Sequence, residues 1–180
     1  MDVPRNWVVL SGSTRITIEA AQIAMTSRDG GESVRSELSF AANYYYDDST
    51  SAAALVNVRF YPDQALTQDI LRTINEAEIA LLDSVSLQAT RSMLRGQNLR
   101  LVEWLGSRVI LVGGLRAIRH EYRRSSGAHT FRVQLIRVLD SPRSFTLTAS
   151  YREDVSRLLR PITEHVASSI RLRETPGRRP

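Results

Sequence analysis

Ser144-Phe145-Thr146-Leu147-Thr148-Ala149-Ser150-Tyr151 alternates strictly between small hydroxyl residues and apolar or aromatic ones. A period of two predicts a strand with one buried face and one hydroxyl-lined face. Upstream, Phe131, Val133 and Leu135 alternate with Arg132 and Gln134, and Asp140-Ser141-Pro142 joins the two segments. Ile118, His120 and Tyr122 share a face of a third strand, closed by the turn Ser125-Ser126-Gly127. Connections this short predict an antiparallel meander, because parallel neighbours need a long crossover. After Tyr151 the period changes to helical spacing at Val155, Leu158, Leu159, Ile162, Val166 and Ile170. An amphipathic helix should lie back across the sheet, with Leu158, Leu159, Ile162 and Val166 against Phe145, Leu147 and Tyr151. Pro161 removes one backbone hydrogen bond and should bend it.

The N-terminal part supplies further elements. Pro4-Arg5-Asn6-Trp7 leads into the apolar run Val8 to Leu10, and Ile16 and Ile18 alternate with polar neighbours as a strand. Residues 27–36, with Gly30-Gly31, read as a polar loop. Leu38, Phe40, Ala42, Tyr44 and Tyr46 share one face; after a turn at 47–51, so do Ala54, Val56, Val58 and Phe60. Together they predict a hairpin. Pro62 ends it, and Thr67 is placed to cap a helix whose stripe is Ile70, Ile74, Ala77, Leu81 and Val85, thickened by Leu71 and Leu82. That helix frays near Ser84 or runs on to Gly96. Gly113-Gly114 gives a tight turn between two apolar segments, where positive φ costs glycine little.

Composition sets limits. The 180 residues are 42% hydrophobic and 24% charged, which predicts one globular domain over residues 1–173, with a disordered arginine-rich tail at 174–180. Cysteine is absent, so disulfide and thiolate chemistry are excluded. No apolar run is long enough to cross a bilayer as a helix. The missing leader sequence fits a cytoplasmic protein or the mature domain of an exported one. A periplasmic or exported domain is the expectation. The net charge is +5, and every one of the 24 basic residues is arginine.

The order of elements resembles the PsbP/Mog-like family. The matching positions are Pro4 and Trp7, the Asn43-Tyr44-Tyr45 strand, Thr67 opening a helix, Gly113-Gly114 before Leu115, and Phe145 to Tyr151. The resemblance implies an α+β domain, a mainly antiparallel sheet between helices in an α/β/α sandwich. It also implies a non-catalytic accessory role in which the sheet serves as a docking platform. No cofactor is implied.

Catalytic motifs are missing where the chemistry would need them. No Gly-x-Ser-x-Gly elbow is present, and the glycine pairs lack a phosphate-loop lysine. A metal held by His120 and His129 across the Ser125 turn would need a third ligand such as Glu103 or Asp140. Docking of a protein or peptide is the leading expectation. The partner-binding face is Asn43, Tyr45, Asn57, Arg59 and Tyr61, because tyrosine and arginine combine contact area with directional hydrogen bonds. Trp104, Arg123 and Arg124 are secondary candidates. The alternative is an anionic ligand, a nucleic acid or a lipid headgroup, gripped by Arg116, Arg119, Arg123, Arg124, Arg132 and Arg137. Alternation splits those arginines between two faces, and Glu103, Glu121 and Asp140 dilute them.

Overall fold

The hydroxyl-and-apolar alternation at 144–151 becomes the central strand of a seven-stranded antiparallel sheet. The structure, a computed structural model, describes residues 4–15, 37–46, 51–61, 67–139 and 144–169. The expected strand at Ile16 and Ile18, the loop at 27–36 and the tail at 174–180 lie outside them.

The strands are β1 (Val8–Val9), β2 (Glu37–Tyr45), β3 (Ala52–Tyr61), β4 (Leu101–Val112), β5 (Leu115–Ser126), β6 (His129–Val138) and β7 (Ser144–Arg152). Their order across the sheet is β1-β2-β3-β7-β6-β5-β4. The helices are α1 (Gln68–Thr73), α2 (Glu76–Gly96) and α3 (Ser156–Ser168). Helix α3 packs on β7 and β3 across one face, while α1 and α2 pack on β5 and β4 across the other. The result is the expected α+β sandwich. Gly113 and Gly114 both have positive φ, 58° and 88°, and close the two-residue turn that pairs Val112 with Leu115.

The α3 face holds the main core. Val56, Val58, Leu147, Ala149 and Tyr151 meet Leu159 and Val166 there, and Trp7 packs at its edge with its ring 5.9 Å from Tyr44. Leu158 departs from the expectation: it is 47% exposed. One helical position is a rotation of about 100°, so burying Leu159 turns Leu158 outward. Thr163 takes a core position instead, its hydroxyl donating to the Leu159 carbonyl at 2.7 Å.

The first helix also differs. The chain leaves helical geometry after Thr73 and restarts beyond Asn75, with a reciprocal cap between Asn75 and Glu78 at 3.0 and 2.9 Å. The side that packs lies one position along from the expected stripe: Leu71 before the break, and Leu82 and Leu94 after it, turn inward. Ile70, Leu81 and Val85 are 44%, 67% and 58% exposed. Thr67 holds the cap position of α1 without a side-chain capping bond.

Leu159→Ala should lower stability by about 2–5 kcal/mol, the usual cost of truncating a core leucine. For a chain of this size that is roughly 5–15 °C in melting temperature. Leu158→Ala should shift it by no more than about 2 °C, since exposed substitutions stay near ~0.5 kcal/mol. Thermal unfolding followed by circular dichroism compares the two.

Candidate binding site

Register decides which side chains meet on the α2 face. Asn43 opposes Leu55 and Ala41 opposes Asn57 in the β2–β3 pair, while Leu55 and Asn57 oppose Ser150 and Thr148 of β7. Asn43, Tyr45, Asn57, Arg59 and Tyr61 therefore share one face, turned away from Val56, Val58 and the α3 core. Asn43 donates to the Tyr45 hydroxyl at 3.3 Å, and Tyr45 is exposed. Among the described residues, α1 and α2 cover the β4–β5 side of this face, and the β2–β3–β7 side opens into a cavity of about 400 Å³. Asn43, Asn57 and Arg59 line it, with Leu55 and Ser150 between them and Arg124 and Phe131 at the far wall. The side-chain oxygen of Asn57 is buried without a hydrogen-bond partner. Tyr45 and Tyr61 stand on the same face but do not line the cavity.

A second concavity of about 350 Å³ lies on the helices. Ile70, Ile74, Leu81 and Val85 wall it above Leu71, Leu82 and Ile118, and Glu78 is its one charged lining residue among those described. Ile70, Ile74, Leu81 and Val85 are the expected stripe, which faces outward on both sides of the helix break.

The secondary candidates have separate surroundings. Trp104 donates its ring N–H to both oxygens of Asp83 on α2, at 2.9 and 3.0 Å, and stacks on Tyr122 with 6.1 Å between ring centres. It fastens α2 to the sheet. Arg123 bridges Glu103 and Glu153 at 2.6 and 2.7 Å, tying the start of β4 to the turn before α3. Arg124 lays its guanidinium 4.9 Å from the centre of the Phe131 ring and reaches the cavity.

Other arginines converge on a buried carboxylate that sequence reasoning missed as a hub. Glu121 accepts from Arg132 at 2.7 Å and Gln134 at 3.2 Å, with Arg108 and Arg119 at 3.6 and 3.8 Å. Pairing depends on strand register, and the one-dimensional sequence carries no signal for it. Arg119, Arg123 and Arg132 are thus engaged by carboxylates on the α3 face, while Arg116, Arg124 and Arg137 fall on the opposite face.

The two histidines do not share a site. His129 opposes Ser126 at the turn, whereas His120 opposes Leu135, six residues back along β5. That separation is about 20 Å at the usual rise of a strand, too far for one ion. The expected pairing of the two across the Ser125 turn is corrected: His129 lies at the turn and His120 mid-strand. His120 is 6% exposed, and its Nδ1 is 2.7 Å from the Ser107 hydroxyl. The Asp83 carboxylate, the nearby acid, is taken by Trp104, so Ser107, His120 and Asp83 are not chained as a nucleophile, base and orienting acid.

Architecture and register together define an antiparallel α+β sandwich with helices on both faces. The chain has the PsbP-like fold. Across 92% of its length it superposes on cyanobacterial PsbP (CyanoP) from Synechocystis sp. PCC 6803, covering 81% of that protein, with 12% identity and a TM-score of 0.55. It is also similar to LpqN of Mycobacterium tuberculosis, described as involved in cell envelope biogenesis. That match covers 94% of this chain and 79% of LpqN, with 13% identity and a TM-score of 0.49. No protein-family model matches the sequence, and no curated protein does.

Burial chiefly, and the positive charge of Arg137 next, lower the His120 pKa to about 4, against a smaller opposing pull from Asp83. The unfolded chain binds this proton near pH 6.5, and the folded chain resists it until about pH 4. The stability contributed by neutral His120 is therefore complete above pH 6.5 and is lost as pH falls toward 4. The loss should be on the order of 3 kcal/mol in urea unfolding, and His120→Gln should flatten this part of the pH profile.

Proposed function

We propose that this protein is a non-catalytic accessory protein that docks a peptide segment of a protein partner on the β2–β3–β7 part of its sheet. The cavity between Asn43, Asn57, Arg59 and Arg124 carries this reading. Its volume of about 400 Å³ lies in the range of sites that enclose a ligand group. Its chemistry suits a peptide: Asn57 keeps an acceptor without a partner, Arg124 spreads a cation over an aromatic ring, and Leu55 and Phe131 give apolar surface. Tyr45, exposed on the same face, adds area at the rim.

The apolar concavity on α1 and α2 supports a second reading, in which an amphipathic helix of the partner lies between Ile70 and Val85. Exposed apolar side chains clustered this closely are characteristic of interaction surfaces.

Panning a random peptide library against the purified protein distinguishes the two. Selected peptides should lose at least ~10-fold in affinity for Tyr45→Ala/Arg59→Ala, a difference of about 1.4 kcal/mol, and keep it for Leu81→Asp/Val85→Asp. The opposite pattern assigns docking to the helices. Peptides that bind both variants like the wild type would sink both readings.

A further inference from the structure

Seven described arginines face a carboxylate: Arg72, Arg108, Arg119, Arg123, Arg132, Arg152 and Arg160 each have one within 4.0 Å. Arg91, Arg95 and Arg100 do not. They line one small concavity of about 180 Å³ at the end of α2, with Leu99 and Leu101 as its apolar part. We infer that this is a binding site for a compact phosphate group, separate from the peptide-docking cavity.

Local geometry brings the three together. Arg91 and Arg95 are four residues apart on α2, so they stand one turn apart on the same face. Gly96 ends the helix, and Asn98 takes a left-handed φ of 55°. The reversal is fixed by Leu99 N–H donating to the Leu94 carbonyl at 2.8 Å and Asn98 N–H to the Arg95 carbonyl at 3.0 Å. Leu99 is thereby tucked toward Leu94 and Tyr122, and Arg100 emerges beside the last turn of α2. Arg100 is held at its backbone by Ser125, which donates its N–H to the Arg100 carbonyl at 2.9 Å and accepts the Arg100 N–H on its hydroxyl at 3.3 Å. All three side chains thus spring from fixed backbone.

Their charge is uncompensated. Among the described residues no carboxylate pairs with any of the three, and like charges at i and i+4 destabilise a helix. The negative end of the helix dipole accounts for a cation in the last turn, which describes Arg95. It does not account for Arg91, a turn earlier, or for Arg100, which belongs to the following segment. A tetrahedral anion between three guanidinium groups relieves the repulsion and accepts forked hydrogen bonds. Exposed Met93, two residues from Arg91, and exposed Val102, next to Leu101, place apolar side chains near this end of the molecule. A phosphate carried by a lipid headgroup and one carried by a free phosphate compound share this chemistry.

Inorganic phosphate titrated into the full chain, followed by ³¹P line broadening, tests the site. One saturable site is expected, weakened at least ~10-fold in Arg91→Gln/Arg95→Gln and weakened less in Arg91→Lys/Arg95→Lys, which keeps the charge but loses the fork. Arg5→Gln/Arg157→Gln removes the same charge elsewhere and should bind like the wild type. Co-sedimentation with phosphatidylglycerol vesicles, using phosphatidylcholine as the neutral reference, identifies the source. Vesicle binding lost with the Gln pair assigns a lipid headgroup, and phosphate binding without vesicle binding assigns a free phosphate compound. No saturable phosphate binding overturns the inference, as does equal loss in the Arg5 and Arg157 control. Should the Gln pair fail to fold, Arg100→Gln applies the same test from β4's side. Peptide docking on the sheet does not bear on any of these readouts.

Discussion

Everything in this fold waits on β7. Local hairpins build β4, β5 and β6 in sequence, and β2 pairs with β3 by the same route, but the two units meet only through the last strand. Val56 pairs with Ala149, and the same Ala149 pairs with Gln134. The β3–β7 contact closes a loop of 93 residues, from 56 to 149, whose length-dependent entropy alone costs about 4 kcal/mol. The apolar side of β7 offsets that cost. Phe145, Leu147, Ala149 and Tyr151 are buried against β3, β6 and α3 at once, so one strand joins two half-sheets and receives the helix.

The same strand separates two chemistries. Its apolar residues face α3, and beyond them that face turns polar, with Glu121 drawing Arg132 and Arg119 inward and meeting the exposed Arg108. A buried carboxylate is tolerated only with such partners, and removing any one leaves charge poorly solvated. Its hydroxyl residues face the other way, into the half of the sheet that α1 and α2 do not reach. Ser150 can lie on a cavity floor because its side chain asks for no apolar cover. The proposed docking face and the core are two sides of one alternation.

How much of this was legible depends on distance along the chain. The hairpin of β2 and β3, the β5–β6–β7 meander and the Gly113-Gly114 turn rest on neighbours, and the sequence showed them. That Asn43, Asn57 and Arg59 share a face followed from alternation alone. Their convergence with Arg124 did not, because it needs the β3–β7–β6–β5 order. The helical stripe failed for a different reason. Ile70, Ile74, Ala77, Leu81 and Val85 keep an almost unbroken phase, and counting apolar residues reveals neither the break at Ile74 nor that the adjacent side, with Leu71 and Leu82, is the one that packs. The spacing of Asn75 and Glu78, a capping box in plain view, carried the signal for the break. Likewise Leu158 and Leu159 are equal in hydropathy; only the packing of Thr163 and Val166 tells which is inside.

Strand β4 forms the outer border of the sheet, bonded to β5 alone among its described neighbours. Its pairing slips twice, between Leu101 and Glu103 and between Trp104 and Gly106, where Gly106 takes a φ of 97°. Such irregularities twist a border strand away from the flat template that another chain could extend. Glu103 and Arg108 add charge along the same strand. From Arg108 to Val112 the register is regular, and the run Val109-Ile110-Leu111-Val112 is apolar, with Leu111 73% exposed. Protection against sheet-to-sheet growth is therefore uneven along this border, strong at its first half and thin at its last few residues. In a concentrated solution, self-association would begin at that end.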